Sequence, residues 1–168
     1  MAVADDVLSA LAKVAPFQGL TPAELKAFFE GAAESSALKG AKLFAEGEPG
    51  DALLVLLSGS VWVTKKGVEL ATLGSPAVLG EMALLGGEVR SAAATVASDA
   101  RLLAVSAKVV QDRLAAGDVA TLKVVANLAR VMGKRLALIN EKLVDTLSGG
   151  KKREELADFG RILNRWSF

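Results

Sequence analysis

Apolar and polar positions along this chain change their period twice, and those changes divide it into three stretches. From Asp5 to Ala15 the apolar residues fall at Val7, Leu8, Leu11 and Val14, which is helical spacing with acidic residues at the favoured end. Pro16 breaks that pattern. Thr21-Pro22-Ala23-Glu24 then has the form of a capping box with proline in the first helical position, predicting a second helix from Pro22 to about Ala33. Phe17, Leu20, Leu25 and Phe28 are the residues expected to pack it.

Between Lys42 and Ser106 the texture becomes short apolar stretches punctuated by glycine. Strands are predicted at Ala52 to Leu57, Val61 to Thr64, Val68 to Leu73, Ala93 to Ala97 and Leu102 to Val105, with turns at Gly47 to Gly50, Gly59 and Gly67. Many short strands separated by glycine turns favour a sandwich or barrel over a parallel sheet.

After Ser106 the helical period returns, first to about Ala116 and then from Asp118 to Leu147. In the longer segment Leu122, Val125, Ala129, Met132, Leu136, Ile139, Leu143 and Thr146 alternate spacings of three and four, the seam of a coiled coil. Val124, Leu128, Val131 and Leu138 form a second stripe on another face. One stripe is expected to cover the strands and the other to meet a partner helix, so a homodimer through residues 118–147 is the expectation. Ser148-Gly149-Gly150 stops the helix. Residues 151–168 carry apolar positions at Leu156, Phe159, Ile162, Leu163 and Trp166, again at helical spacing. That tail is read as a short helix packing back on the dimer, the alternatives being a partner-docking helix, a membrane-surface helix or a lid.

Composition narrows the chemistry. A chain of 168 residues suffices for one domain with helical appendages: 1–147 with its long helix, and 148–168 as a helical tail. Net charge is +1, which shows neither a nucleic-acid footprint nor a polybasic membrane patch. There is no cysteine and no histidine, so disulfides, zinc sites built on these side chains and Ser-His-Asp or Cys-His nucleophiles are removed. The amino terminus lacks the basic region of a secretory signal, and no apolar run approaches the ~20 residues of a membrane span. A soluble, cytoplasmic, non-catalytic protein without metal or cofactor is expected.

The candidate chemistry lies in Leu79-Gly80-Glu81-Met82-Ala83-Leu84-Leu85, followed by Arg90-Ser91-Ala92. A carboxylate accepts from hydroxyls and an arginine fork matches a phosphate, so the pair suits a ribose fused to a phosphate diester. As an isolated pair, Glu81 and Arg90 are more readily read as a salt bridge that holds a loop.

This stretch resembles the phosphate-binding cassette of the cyclic-nucleotide-binding domains of catabolite activator proteins, protein kinase A regulatory subunits and cyclic-nucleotide-gated channels. Upstream, Phe44-Ala45-Glu46-Gly47-Glu48-Pro49-Gly50-Asp51 and then Ser58-Gly59-Ser60-Val61 resemble the family's early strands and glycine turn, and the likeness covers about residues 15 to 147. The resemblance implies an α+β fold: a jelly-roll β-roll with N-terminal helices, a short phosphate-cassette helix and a long C-terminal helix. It also assigns Ala92-Ala93-Ala94, ambiguous by propensity, to a strand.

By that resemblance the ligand is cyclic AMP or cyclic GMP, with cyclic AMP favoured. Arg90 neutralises the phosphate, Ser91 adds a donor, and Glu81 accepts from the 2′-hydroxyl. Gly80 permits close backbone approach, and the turn beginning at Glu81, with Met82 and Ala83, aims its amides at the phosphate. Val63, Leu70, Ala71, Leu79 and Met82 wall the sugar and base, and Ala92 completes the set. Arg135 to Lys142 resembles the long-helix segment that reaches the purine, making Arg135, Ile139 and Asn140 candidate base contacts. The relatives' Thr-Ser pair is replaced here by Ile139-Asn140, and the usual Gly-Asp before the cassette by Pro76-Ala77. A helix-turn-helix needs some 60 residues after the long helix and about 20 follow, so the expectation is a stand-alone sensor that does not bind DNA directly and acts on an unidentified protein effector. The alternative is a nucleotide-independent interaction module of the same fold.

Overall fold

The computed structural model describes residues 3–84 and 89–148. Residues Met1 to Leu128 form one compact unit and those from Ala129 onward a second.

In the first unit, helix α1 (Asp5–Leu11) is followed by a 3-10 turn at Ala15–Phe17 and helix α2 (Pro22–Phe28). The capping box is present at α2: Thr21 Oγ1 accepts from Glu24 N at 3.2 Å and Glu24 Oε2 accepts from Thr21 N at 2.7 Å. Both helices are shorter than their periodicity predicts. The second stops at Phe28 because Phe28 and Phe29 both turn into the core and Gly31 takes the left-handed conformation, φ 80°. Ala33, predicted as the helix end, instead opens strand β1 (Ala33–Ala37), whose exposed Glu34-Ser35-Ser36 edge carries little apolar signal.

Strands β2 (Lys42–Phe44), β3 (Ala52–Lys65), β4 (Val68–Gly74), β5 (Ala77–Leu79) and β6 (Ala93–Ser106) complete a six-stranded antiparallel sheet. Its path runs β1-β6-β3-β4, with β2 on β6 and β5 on β3. The strands predicted at Ala52–Leu57 and Val61–Thr64 are one 14-residue strand, as are those at Ala93–Ala97 and Leu102–Val105. Gly59 is therefore not the turn expected from the sequence but a kink inside β3. Its φ is +85°, the register to β6 shifts on both sides of it, and a Cβ there would overlap the backbone of Asp99. Glycine at this point keeps the strand paired while it bends.

Two apolar clusters result. One joins α1, α2 and the 3-10 turn to Leu53, Val55, Leu103 and Val105, and to helices α3 (Ala107–Ala115) and α4 (Val119–Ser148) through Val110, Val124 and Leu128. Phe17, Phe28 and Phe29 form its centre, with ring centroids 5.1–5.8 Å apart. The other lies between the strands: Leu56, Val61, Leu79, Ala94, Val96, Ala100 and Leu102. Polar links fasten the N-terminal helices. Arg113 donates to the carbonyls of Ala27, Phe28 and Glu30, Lys123 pairs with Glu24 at 2.6 Å, and Asn127 donates to the Pro16 and Gln18 carbonyls.

The described part of the second unit is the remainder of α4. Leu136, Leu138, Ile139 and Val144 are exposed there. Among the described residues no helix is long and apolar enough to cross a membrane. The predicted tail helix at 151–168 lies outside the described residues.

Candidate functional site

The site begins where β5 ends. Leu79 is buried opposite Leu54 of β3, which fixes the strand up to its last residue. Gly80 then takes φ +73° and caps a single 3-10 turn, Glu81–Ala83, closed by Leu84 N donating to Glu81 O at 3.1 Å. The cassette helix expected from the sequence is thus three residues long. Leu84 drops into the core. The chain is described again from Val89, which bridges Pro49, and Arg90 N donates to Glu48 O at 2.7 Å while Arg90 O accepts from Gly47 N at 2.9 Å.

Arg90 is the centre of the arrangement. Its side chain is only 6% exposed, and it is one of two buried polar side chains among the described residues. Nη1 donates to Ala52 O at 2.9 Å and to Gly80 O at 3.4 Å, and Nη2 stands 3.5 Å from Asp51 Oδ1. The guanidinium lies over the Phe44 ring, 4.4 Å from its centroid, in a cation–π contact. Burial pulls its pKa below the ordinary arginine value, and Asp51, Glu48 and Glu81 oppose that pull electrostatically. A guanidinium stays charged under such conditions, so the protein keeps a cation at low solvent exposure. Its Nε is buried with no hydrogen-bond partner among the described residues, an incompletely met donor of the sort that native structures rarely tolerate without cause.

Gly80 has two reasons to be glycine. Its backbone is left-handed, and a Cβ would overlap Arg90 Nη1 and come within 3.1 Å of Ala52 O. The atom packed against this glycine is the protein's own Arg90 Nη1.

The remaining predicted residues divide into groups. Val63 and Ala71 sit directly opposite each other on β3 and β4, half-buried, with Val63 packed on the same apolar cluster as Leu79. Leu70 is the extra residue of a bulge in β4, between the pairs Val63/Ala71 and Thr64/Glu69, and is 58% exposed. Glu81 is half-buried and Met82 exposed on the 3-10 turn, followed by Ala83. Ser91 is exposed and Ala92 half-buried beside Arg90. Arg135, Ile139 and Asn140 belong to the second unit, where Ile139 is exposed. A surface cleft of about 580 Å³ lies between α1 and α2 and another of about 520 Å³ lies along α2, and neither is lined by any predicted ligand residue.

Sequence reasoning missed the partners of Arg90: Phe44, Asp51 and the Ala52 carbonyl. The signal lies in Phe44 to Asp51, whose pattern predicts only strand and turn. It also missed Lys65, whose Nζ donates to Ser91 O at 2.8 Å.

Comparison with known proteins gives the chain its relatives. Residues 34–116 match the family described as Cyclic nucleotide-binding domain. A CRP-like cAMP-activated global transcriptional regulator of Mycobacterium tuberculosis is 27% identical over 142 residues, covering 82% of this chain and 62% of the relative. The catabolite activator protein of Thermus thermophilus is 34% identical with a TM-score of 0.67, over 80% of this chain and 63% of that one. A cyclic nucleotide-binding domain of Methylobacillus flagellatus is 25% identical with a TM-score of 0.72, over 92% and 89%. The chain thus spans about six-tenths of the length of its first curated relatives.

Proposed function

We propose that this chain, which through residues 34–116 belongs to the cyclic nucleotide-binding domain family, binds a 3′,5′-cyclic nucleotide at Gly80 to Ala92 and acts as a non-catalytic signalling sensor. The observation that carries the reading is Arg90: a guanidinium 6% exposed, aligned by two backbone carbonyls beside the Gly80 turn, with an unmet Nε.

A phosphate diester supplies the anion that such a cation is suited to hold. Arg90 binds it, exchanging the 3.5 Å contact with Asp51 for a phosphate oxygen. Glu81 accepts from the 2′-hydroxyl, Ser91 donates to the phosphate, and Val63, Leu70, Ala71, Leu79 and Met82 face the sugar and base. Cyclic AMP is favoured over cyclic GMP, in keeping with the mycobacterial relative, which is by name cAMP-activated. Two copies associate through residues 118–147, where Leu122, Leu136 and Ile139 are exposed at heptad spacing. The bound state passes through the C-terminal helices to a protein effector in the cytoplasm.

Calorimetric titration with cyclic AMP and cyclic GMP tests this directly. Removing Arg90 as Arg90→Ala should weaken binding by roughly 2–5 kcal/mol, since the phosphate charge loses its partner in a desolvated site. Arg90→Ala binding both nucleotides as tightly as the parent refutes the assignment.

A second reading, a nucleotide-independent interaction module, is favoured by one observation: Arg90 is already engaged by Ala52, Gly80, Asp51 and Phe44. No binding heat and no thermal shift at millimolar nucleotide select it.

A further inference from the structure

Lys65 is the last residue of β3 and stands two positions beyond Val63. The bulge between the pairs Val63/Ala71 and Thr64/Glu69 adds its extra residue to β4, so alternation along β3 is unbroken and Lys65 shares the face of Val61 and Val63. That face is the one turned to the apolar cluster between the strands. From the open end of it, Lys65 Nζ reaches the Ser91 carbonyl, 2.8 Å away and one residue beyond Arg90. An ammonium has three protons, and this bond uses one.

The charges around Arg90 give this placement its meaning. Asp51 lies 3.5 Å from the guanidinium, and Glu48 accepts from Arg90 N through its backbone while its carboxylate caps Ala45 N in the same loop. Glu81 begins the 3-10 turn. Asp51, Glu48 and Glu81 are thus the carboxylates that act on the buried cation, and negative charge there opposes the approach of a phosphate diester. A cation hydrogen-bonded to the carbonyl one residue beyond Arg90 offsets part of that opposition without contacting the guanidinium's own partners.

We infer that Lys65 is the anion-recruiting residue of this site, a second cation that draws a nucleotide phosphate toward Arg90 and makes affinity depend on ionic strength. The inference rests on the cyclic-nucleotide reading above. It is separable from a purely mechanical role, in which the bond to Ser91 only ties β3 to the cassette, because glutamine at this position retains an N–H donor and loses the charge.

The test is calorimetric titration of cyclic AMP and cyclic GMP into wild type, Lys65→Gln, Lys65→Arg and Arg90→Ala at low and high salt. At low salt Lys65→Gln should bind about fivefold more weakly than wild type, the size of one part-screened charge interaction. The difference should close at high salt, and Lys65→Arg should restore both affinity and salt response. Melting temperatures of the ligand-free variants confirm that each is folded. A wild-type protein that binds, an Arg90→Ala that does not, and a Lys65→Gln matching wild type in affinity and salt slope overturn this inference alone. A wild type that takes up neither nucleotide overturns it together with the reading of the site.

Discussion

Gly80→Ala tests whether Arg90 is held by the turn that precedes it. Two costs are separable. Alanine at φ +73° is left-handed, which costs roughly 1–2 kcal/mol. Its Cβ would also overlap Arg90 Nη1. That atom is the end of a flexible side chain, so the guanidinium is displaced and the backbone is not. Displacement sacrifices the bonds to Ala52 O and Gly80 O, and a hydrogen bond from a charged donor contributes about 1.5–3 kcal/mol. The total is a destabilisation of roughly 2.5–5 kcal/mol if one such bond is lost outright.

A double-mutant cycle with Arg90→Ala, read by urea denaturation, divides that total. Where Arg90 is absent the overlap with Nη1 is gone, leaving Ala52 O at 3.1 Å from the new methyl, and Gly80→Ala should cost mainly the backbone portion, roughly 1–2 kcal/mol. The coupling between the two sites should therefore be about 1.5–3 kcal/mol. Calorimetry with cyclic AMP on Gly80→Ala alone should show affinity falling with the arginine's misplacement. A coupling near zero, with Gly80→Ala costing the same in both backgrounds, refutes the claim that this glycine exists to seat the guanidinium.

Gly59→Ala should be far more damaging than Gly80→Ala although both glycines have positive φ, because its Cβ would meet the backbone of Ser98 to Ala100, which cannot move aside without breaking β6. A loss above about 4 kcal/mol or failure to accumulate as soluble protein is expected, and a variant within ~1 kcal/mol of wild type by urea denaturation contradicts the kink. Glu24 carries a pH signature: its carboxyl is held below the ordinary value by the hydrogen bond from Lys123, then by Thr21 N. A depressed carboxyl contributes stability above its unfolded pKa and loses it as pH falls through the lower folded value. Glu24→Gln should therefore narrow the gap in melting temperature between about pH 6 and pH 3, and an unchanged gap shows that the pair with Lys123 does not bear on stability.

How much of this was legible in the sequence depends on how far each signal reaches along the chain. The capping box at Thr21–Glu24 spans four residues and was read outright, because both of its hydrogen bonds are local. Val124 and Leu128 were placed on one stripe by periodicity alone, and both are buried. Strand β1 was not legible, since Glu34-Ser35-Ser36 is an exposed edge whose strand character comes from pairing with β6, some 67 residues on. Gly59 was legible as a backbone exception but not as a kink, because a turn and a bulge ask the same φ of glycine and only the partner strand distinguishes them.

The candidate site shows the same limit most clearly. Leu79 to Ala92 announces a carboxylate and a guanidinium through local spacing, and the family likeness attaches to that stretch. What makes Arg90 a buried cation comes from elsewhere: Phe44 beneath it, Asp51 beside it and the Ala52 carbonyl on Nη1, up to 46 residues away in sequence. Those residues were visible only as a glycine-containing loop entering an apolar strand. Their role follows once β3 is seen to lie between β5, which ends at Leu79 just before Gly80, and β6, which begins beyond Arg90. The pairing brings the start of β3 against the cassette from one side, and its far end presents Lys65 to Ser91 from the other. A single long strand thus supplies the carbonyl that accepts from the buried cation and the ammonium that donates to Ser91. Predicting β3 as two strands leaves out that one unbroken strand, running through Gly59, carries both of these contacts.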